Sequence, residues 1–63
     1  MEDMGIMIST VKNNNVLTLD VGITENGRAI YRVYWWNGKQ SSETYYRRIK
    51  EAYATFKMIE RMV

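Results

Sequence analysis

The chain has no cysteine, no histidine and no proline. Without cysteine, no disulfide can staple the fold and no thiolate can hold a metal. Without histidine, the commonest zinc ligand and the usual general base are both missing. Without proline, and with no flexible low-complexity stretch, nothing marks an internal linker. Long apolar runs are absent too: no stretch approaches the roughly 18 residues that mark a membrane span. The N-terminal Met1-Glu2-Asp3-Met4 is acidic where a signal peptide begins basic. These absences point to a soluble cytoplasmic protein with no metal, no cofactor and no membrane partner.

What is present is a short, aromatic-rich chain of 63 residues, 46% apolar and 13% aromatic. That length allows one small domain, 1–63, which buries only about 60% of its unfolded surface. The apolar content argues against disorder. Stability must come from a compact core or from self-association, which leaves a homodimer open. The net charge of +2 is unevenly spread. Residues 1–27 carry Lys12 against four carboxylates, a net of −3, and residues 28–63 carry eight cations against three carboxylates, a net of +5. Such asymmetry points to an acidic partner, although a solvated surface has the same appearance.

Three polar clusters punctuate the chain: Lys12-Asn13-Asn14-Asn15, Glu25-Asn26-Gly27-Arg28 and Trp36-Asn37-Gly38-Lys39. Asparagine tolerates left-handed backbone, and Asn-Gly is the strongest short hairpin signal. Between the clusters lie β-rich runs at Ile6 to Val11, Val16 to Ile23 and Ala29 to Trp36. Gln40 to Tyr45 reads either as a short fourth strand or as an extended approach to a helix, and residues 1–14 as a strand or a loose arm. The adjacent tryptophans Trp35 and Trp36 must point to opposite faces of their strand.

The register of the central hairpin decides which side chains face out. A two-residue loop at Asn26-Gly27 puts Arg32 on the leucine face, opposite Val21. A three-residue loop, with Gly27 left-handed, pairs Val21 with Tyr31, Leu19 with Val33 and Leu17 with Trp35 on one face. It pairs Asp20 with Arg32 and Thr18 with Tyr34 on the other. The second register buries no charge and opposes unlike charges, so it is preferred. It makes Trp35 a core residue and leaves Arg32, Tyr34 and Trp36 on the opposite face.

At about 100° per residue, Tyr45, Ile49, Ala52, Tyr53, Phe56, Ile59 and Val63 form one apolar stripe, which predicts a C-terminal helix. Ser42 or Thr44 is the expected N-cap, and Glu43, Arg47 and Glu51 are spaced for i,i+4 pairs. Met58 and Met62 fall near the polar side, as a fraying end or as a protein interface. The expected fold is α+β: a three- or four-stranded antiparallel meander with one C-terminal helix on one face.

Little supports catalysis. The carboxylates are scattered, Ser9, Ser41 and Ser42 have no histidine to activate them, and no glycine-rich loop leads into a helix. A basic, aromatic sheet face is the better candidate. Arg32, Tyr34 and Trp36, with Arg28 and Lys39 at the two turns, combine groups that bond base edges or phosphates with groups that stack. Arg47 and Arg48, near Lys50 at the helix start, form a second basic cluster suited to phosphate contact. The plainer explanations are aromatic cover for an open sheet and a solvated helix face.

The run Tyr31-Arg32-Val33-Tyr34-Trp35-Trp36, the turn Asn37-Gly38-Lys39 and the later Arg47-Arg48-Ile49-Lys50-Glu51-Ala52 resemble the arm-type DNA-binding domain of phage and transposon tyrosine integrases. The likeness covers about residues 16–62. It implies a three-stranded sheet backed by a C-terminal helix, with Arg32, Tyr34, Trp36 and Lys39 nearest DNA. The chain departs from that pattern at Arg48, where a capping threonine is common, in less basic hairpin arms, and at Asp20, which repels phosphate unless Arg32 neutralises it. No integrase catalytic domain follows, so a free-standing accessory module is expected. The sequence thus points to a small non-enzymatic DNA-binding regulator of a phage or mobile element. The alternative is a protein-binding inhibitor or regulator of a host protein that uses the Tyr34–Trp36 patch or Met58 and Met62.

Overall fold

The computed structural model describes residues 4–63. Four strands, β1 (Gly5–Lys12), β2 (Asn15–Ile23), β3 (Ala29–Trp36) and β4 (Ser41–Tyr46), pair in chain order as an antiparallel meander, followed by helix α1 (Ile49–Met62). Each connection is a short turn set by its own residues. Asn13 and Asn14 both take positive φ, 51° and 66°, between the paired Lys12 and Asn15. That is the two-residue turn whose twist suits a hairpin. Gly38, at φ 98°, takes the first central position of the β3–β4 turn, where Asn37 Oδ1 accepts hydrogen bonds from the backbone N–H of Lys39 and of Gln40.

The β2–β3 turn is the three-residue one. Thr24 N donates to Arg28 O at 2.8 Å, Gly27 N donates to Thr24 O at 2.9 Å, and Gly27 has φ 80°. The preferred register follows: Val21 opposes Tyr31, Leu19 opposes Val33, Leu17 opposes Trp35 and Asp20 opposes Arg32. Leu17, Leu19 and Val33 then meet Ala52, Phe56 and Ile59 of α1 in the core, ringed by Ile8, Tyr31, Trp35, Tyr46 and Val63. Trp35 keeps its indole N–H satisfied at the core edge by donating to Asn15 Oδ1 at 2.9 Å.

Of the alternatives left open, residues 5–12 take the strand and not the loose arm. Residues 1–3 lie outside the described residues. A bulge between Ile6 and Ile8 lets β1 keep Ile8 on the core face and Ile6 opposite Asp20 on the other. Thr10 Oγ1 and Lys12 Nζ reach Glu60 at the far end of α1, at 3.4 and 3.3 Å.

The helix begins later than its apolar stripe suggests. Tyr45 belongs to β4 opposite Arg32, on the face away from α1. Its neighbour Tyr46 turns inward, and the Tyr46 and Thr55 hydroxyls share a hydrogen bond of 2.8 Å. Ile49 and Tyr53 are exposed despite their place in the stripe. Ser42 and Thr44 lie in β4, so neither caps α1. Arg48 occupies the N-cap with extended backbone and no side-chain cap bond. Glu43 cannot pair with Arg47 along a helix, because strand pairing puts it beside Tyr34.

Candidate functional site

The sheet has two faces and α1 covers one. On the uncovered face β3 presents Arg32, Tyr34 and Trp36, as alternation requires. β2 adds Val16, Thr18 and Asp20; β4 adds Ser41, Glu43 and Tyr45; β1 adds Ile6, Ser9 and Val11. Trp36, Tyr45, Ile6 and Val11 are exposed there.

At the centre of this face lies an ion pair. Arg32 Nη2 is 2.6 Å from Asp20 Oδ2, and Arg32 Nε donates to the same oxygen at 2.8 Å. Asp20 is 0% exposed, and its Oδ1 has no hydrogen-bond donor among the described residues. Arg32 keeps an exposed flank. Its Nη1 stands 3.7 Å from Glu43 Oε2, and its guanidinium lies 5.6 Å from the centre of the Tyr34 ring. Burial alone would lower the Arg32 pKa. The hydrogen bond and charge of Asp20, aided by Tyr45 and Glu43, more than offset that and raise it above the ordinary arginine value. Asp20 therefore does not stand on this face as a free negative charge. It fixes a permanent cation beside the Tyr34 ring, with Tyr45 opposite it on β4.

Of the other basic residues, Lys50, Lys57 and Arg61 are on α1, and the remaining five lie at the two ends of β3. Lys39 sits in the β3–β4 turn, next to the β1–β2 turn that carries Lys12: a Cβ on Gly38 would lie 3.7 Å from Asn14 O. At the other end, Arg28, Arg47 and Arg48 line one groove of about 350 Å³ with Thr24, Asn26, Ala29 and Ile30. Arg28 is close to Arg47 and Arg48 only because β4 returns alongside β3. The two ends are roughly 26 Å apart, the length of an eight-residue strand. Met58 and Met62 are exposed on α1, away from both the sheet face and the groove.

Tyr45 is the site residue that sequence reasoning missed. Helical periodicity claimed it, but counting alternation from the Asn37-Gly38 turn puts it on the open face, with its hydroxyl donating to Glu43 Oε1 at 3.0 Å. Asn26 of the groove likewise reads from the sequence only as a turn residue, and Thr24 carries no signal there. Among the described residues no acidic cluster able to hold a metal is present, and no helix is long and apolar enough to cross a membrane. Comparison with protein families, with curated proteins and with solved structures gives no match.

Proposed function

We propose that the chain binds duplex DNA and carries out no chemistry, laying the open face of its sheet along the major groove. The observation that carries this reading is the Asp20–Arg32 pair on an uncovered face, with Tyr34 beside it and Tyr45 across from it on β4. A buried carboxylate that takes Nε and Nη2 fixes the arginine fork and holds Nη1 3.7 Å from Glu43 Oε2, beside the open face. A held guanidinium of this kind suits the guanine edge, and Glu43 beside it is an acceptor of the type that takes the cytosine amino group. Trp36 and Tyr34 supply flat apolar surface, and the basic groups at the two ends of β3 suit flanking phosphates. A two-stranded ribbon such as β3–β4 fits a groove about 12 Å wide. The resemblance to arm-type integrase domains belongs to this proposal, as does action in the cytoplasm of a host cell as a regulator encoded by a phage or mobile element. β1 is an addition to the three-stranded pattern.

Titration of a labelled duplex with the parent chain and with Trp36→Ala and Lys39→Ala tests it. Both variants should bind more weakly while melting like the parent. Unchanged affinity in both would overturn the sheet-face docking.

A second reading has its own support. Ile6, Val11, Tyr45 and Trp36 are exposed apolar groups on the open face, and such a surface also suits a protein partner. If Trp36→Ala abolishes capture of a defined host protein while Arg28→Gln and Lys39→Ala do not, and no duplex binds, the protein-binding reading replaces the first. A solution mass twice that of the chain would instead assign the face to a homodimer.

A further inference from the structure

The groove at the β2–β3 turn is built from parts distant in the sequence. Thr24, Asn26 and Arg28 come from the turn, and Arg47 and Arg48 from the link between β4 and α1. Three arginines line one concavity. Among the described residues none of them forms an ion pair: the salt bridges there join Arg32 to Asp20 and Glu43, and Lys57 to Glu60. The hollow has neutral donors as well. The Thr24 hydroxyl accepts the Arg28 backbone N–H at 3.2 Å, so its own O–H remains to donate. The Asn26 side chain brings an amide. Ala29 and Ile30 form an apolar wall.

We infer that this groove is a seat for a phosphate group. Arginine forks match phosphate oxygens in pairs, which makes a cluster of three better suited to a multi-oxygen anion than to a single carboxylate. The apolar wall suits the carbons of a phosphate ester. Resting on the DNA reading above, the occupant is one backbone phosphate on the Arg28 side of the base pairs that Arg32 faces. The groove then sets the register of the sheet on the duplex and is blind to sequence, while the open face reads bases.

The test compares duplex affinity across salt for the parent chain, Arg28→Gln, Arg47→Gln, their double variant and Trp36→Ala. Arg28 and Arg47 are exposed, and the turn is held by backbone bonds that Arg28→Gln retains. The Arg28→Gln/Arg47→Gln double variant should lower the slope of log K against log salt by about 0.9, each single variant should lower it by part of that, and all should weaken unrelated duplexes equally. Trp36→Ala should leave the slope unchanged. If the parent binds and the arginine variants keep its slope, the groove is not the seat, although DNA binding stands. If the parent binds no duplex, DNA binding fails, and titration with inorganic phosphate followed by amide NMR decides the groove. Saturable shifts at Thr24 to Ala29 and at Arg47 and Arg48, lost in the Arg28→Gln/Arg47→Gln double variant, would assign it to a free phosphate. Amides that do not move would overturn the seat.

Discussion

Asp20 and Arg32 are coupled so tightly that substituting one is a different experiment from substituting both. Arg32→Ala leaves a carboxylate buried with no counter-charge, which should cost about 3–5 kcal/mol, a large part of a small domain's stability. Replacing both, as Asp20→Val with Arg32→Leu, removes the buried charge along with its partner and should melt within about 1 kcal/mol of the parent. Urea denaturation of the two variants checks this. The double variant, folded but without its arginine, also separates recognition from stability. The pairing itself was legible in the sequence, because a left-handed Gly27 fixes a register in which Asp20 opposes Arg32. The complete burial of Asp20 was not. It depends on β1 bringing Ile6 alongside, and β1 was left open between a strand and an arm.

Among the elements, α1 carries the clearest compromise. Its N-cap is Arg48, a residue with no side-chain oxygen to accept the free N–H groups of the first turn. Arg48→Ser should stabilise the fold by about 1 kcal/mol and raise the melting temperature by roughly 4–8 °C for a domain of this size. It should also weaken duplex binding. Such an exchange of stability against affinity, measured by calorimetry and by titration, is expected where a functional side chain occupies a structural position. The other end of α1 is tied to β1 through Glu60. The hydrogen bond from Lys57 lowers the Glu60 pKa, desolvation opposes it, and the charge of Lys57 with Thr10 and Lys12 adds to the lowering. A depressed folded-state pKa stabilises above the ordinary carboxylate value, and that contribution is lost as pH falls through the folded value. Between about pH 6 and pH 3 the parent should therefore lose more melting temperature than Glu60→Gln. The strands were readable from alternation and turn residues, the helix start less so. Tyr45 fits a helical stripe and a strand equally well, and only pairing with β3 decides that Tyr46, not Tyr45, faces the core.

For the whole molecule, one helix on a four-stranded sheet leaves a face that the described residues do not cover. That much follows from having a single amphipathic helix, and the sequence shows it. The gathering of Arg28 with Arg47 and Arg48 was hidden, since residues about twenty apart meet only because β4 lies beside β3. With Lys39 at the opposite end of β3, the molecule presents cations at both ends of an aromatic face whose central charges are largely paired. On the proposed DNA reading, binding through that layout depends on releasing counterions from phosphates. Anisotropy of a labelled duplex, titrated with the chain at about 50 mM and about 200 mM salt, tests this most directly. With about four phosphates neutralised, affinity should fall roughly a hundredfold between the two conditions. Binding that is absent at the lower salt, or equal at both, would contradict the account.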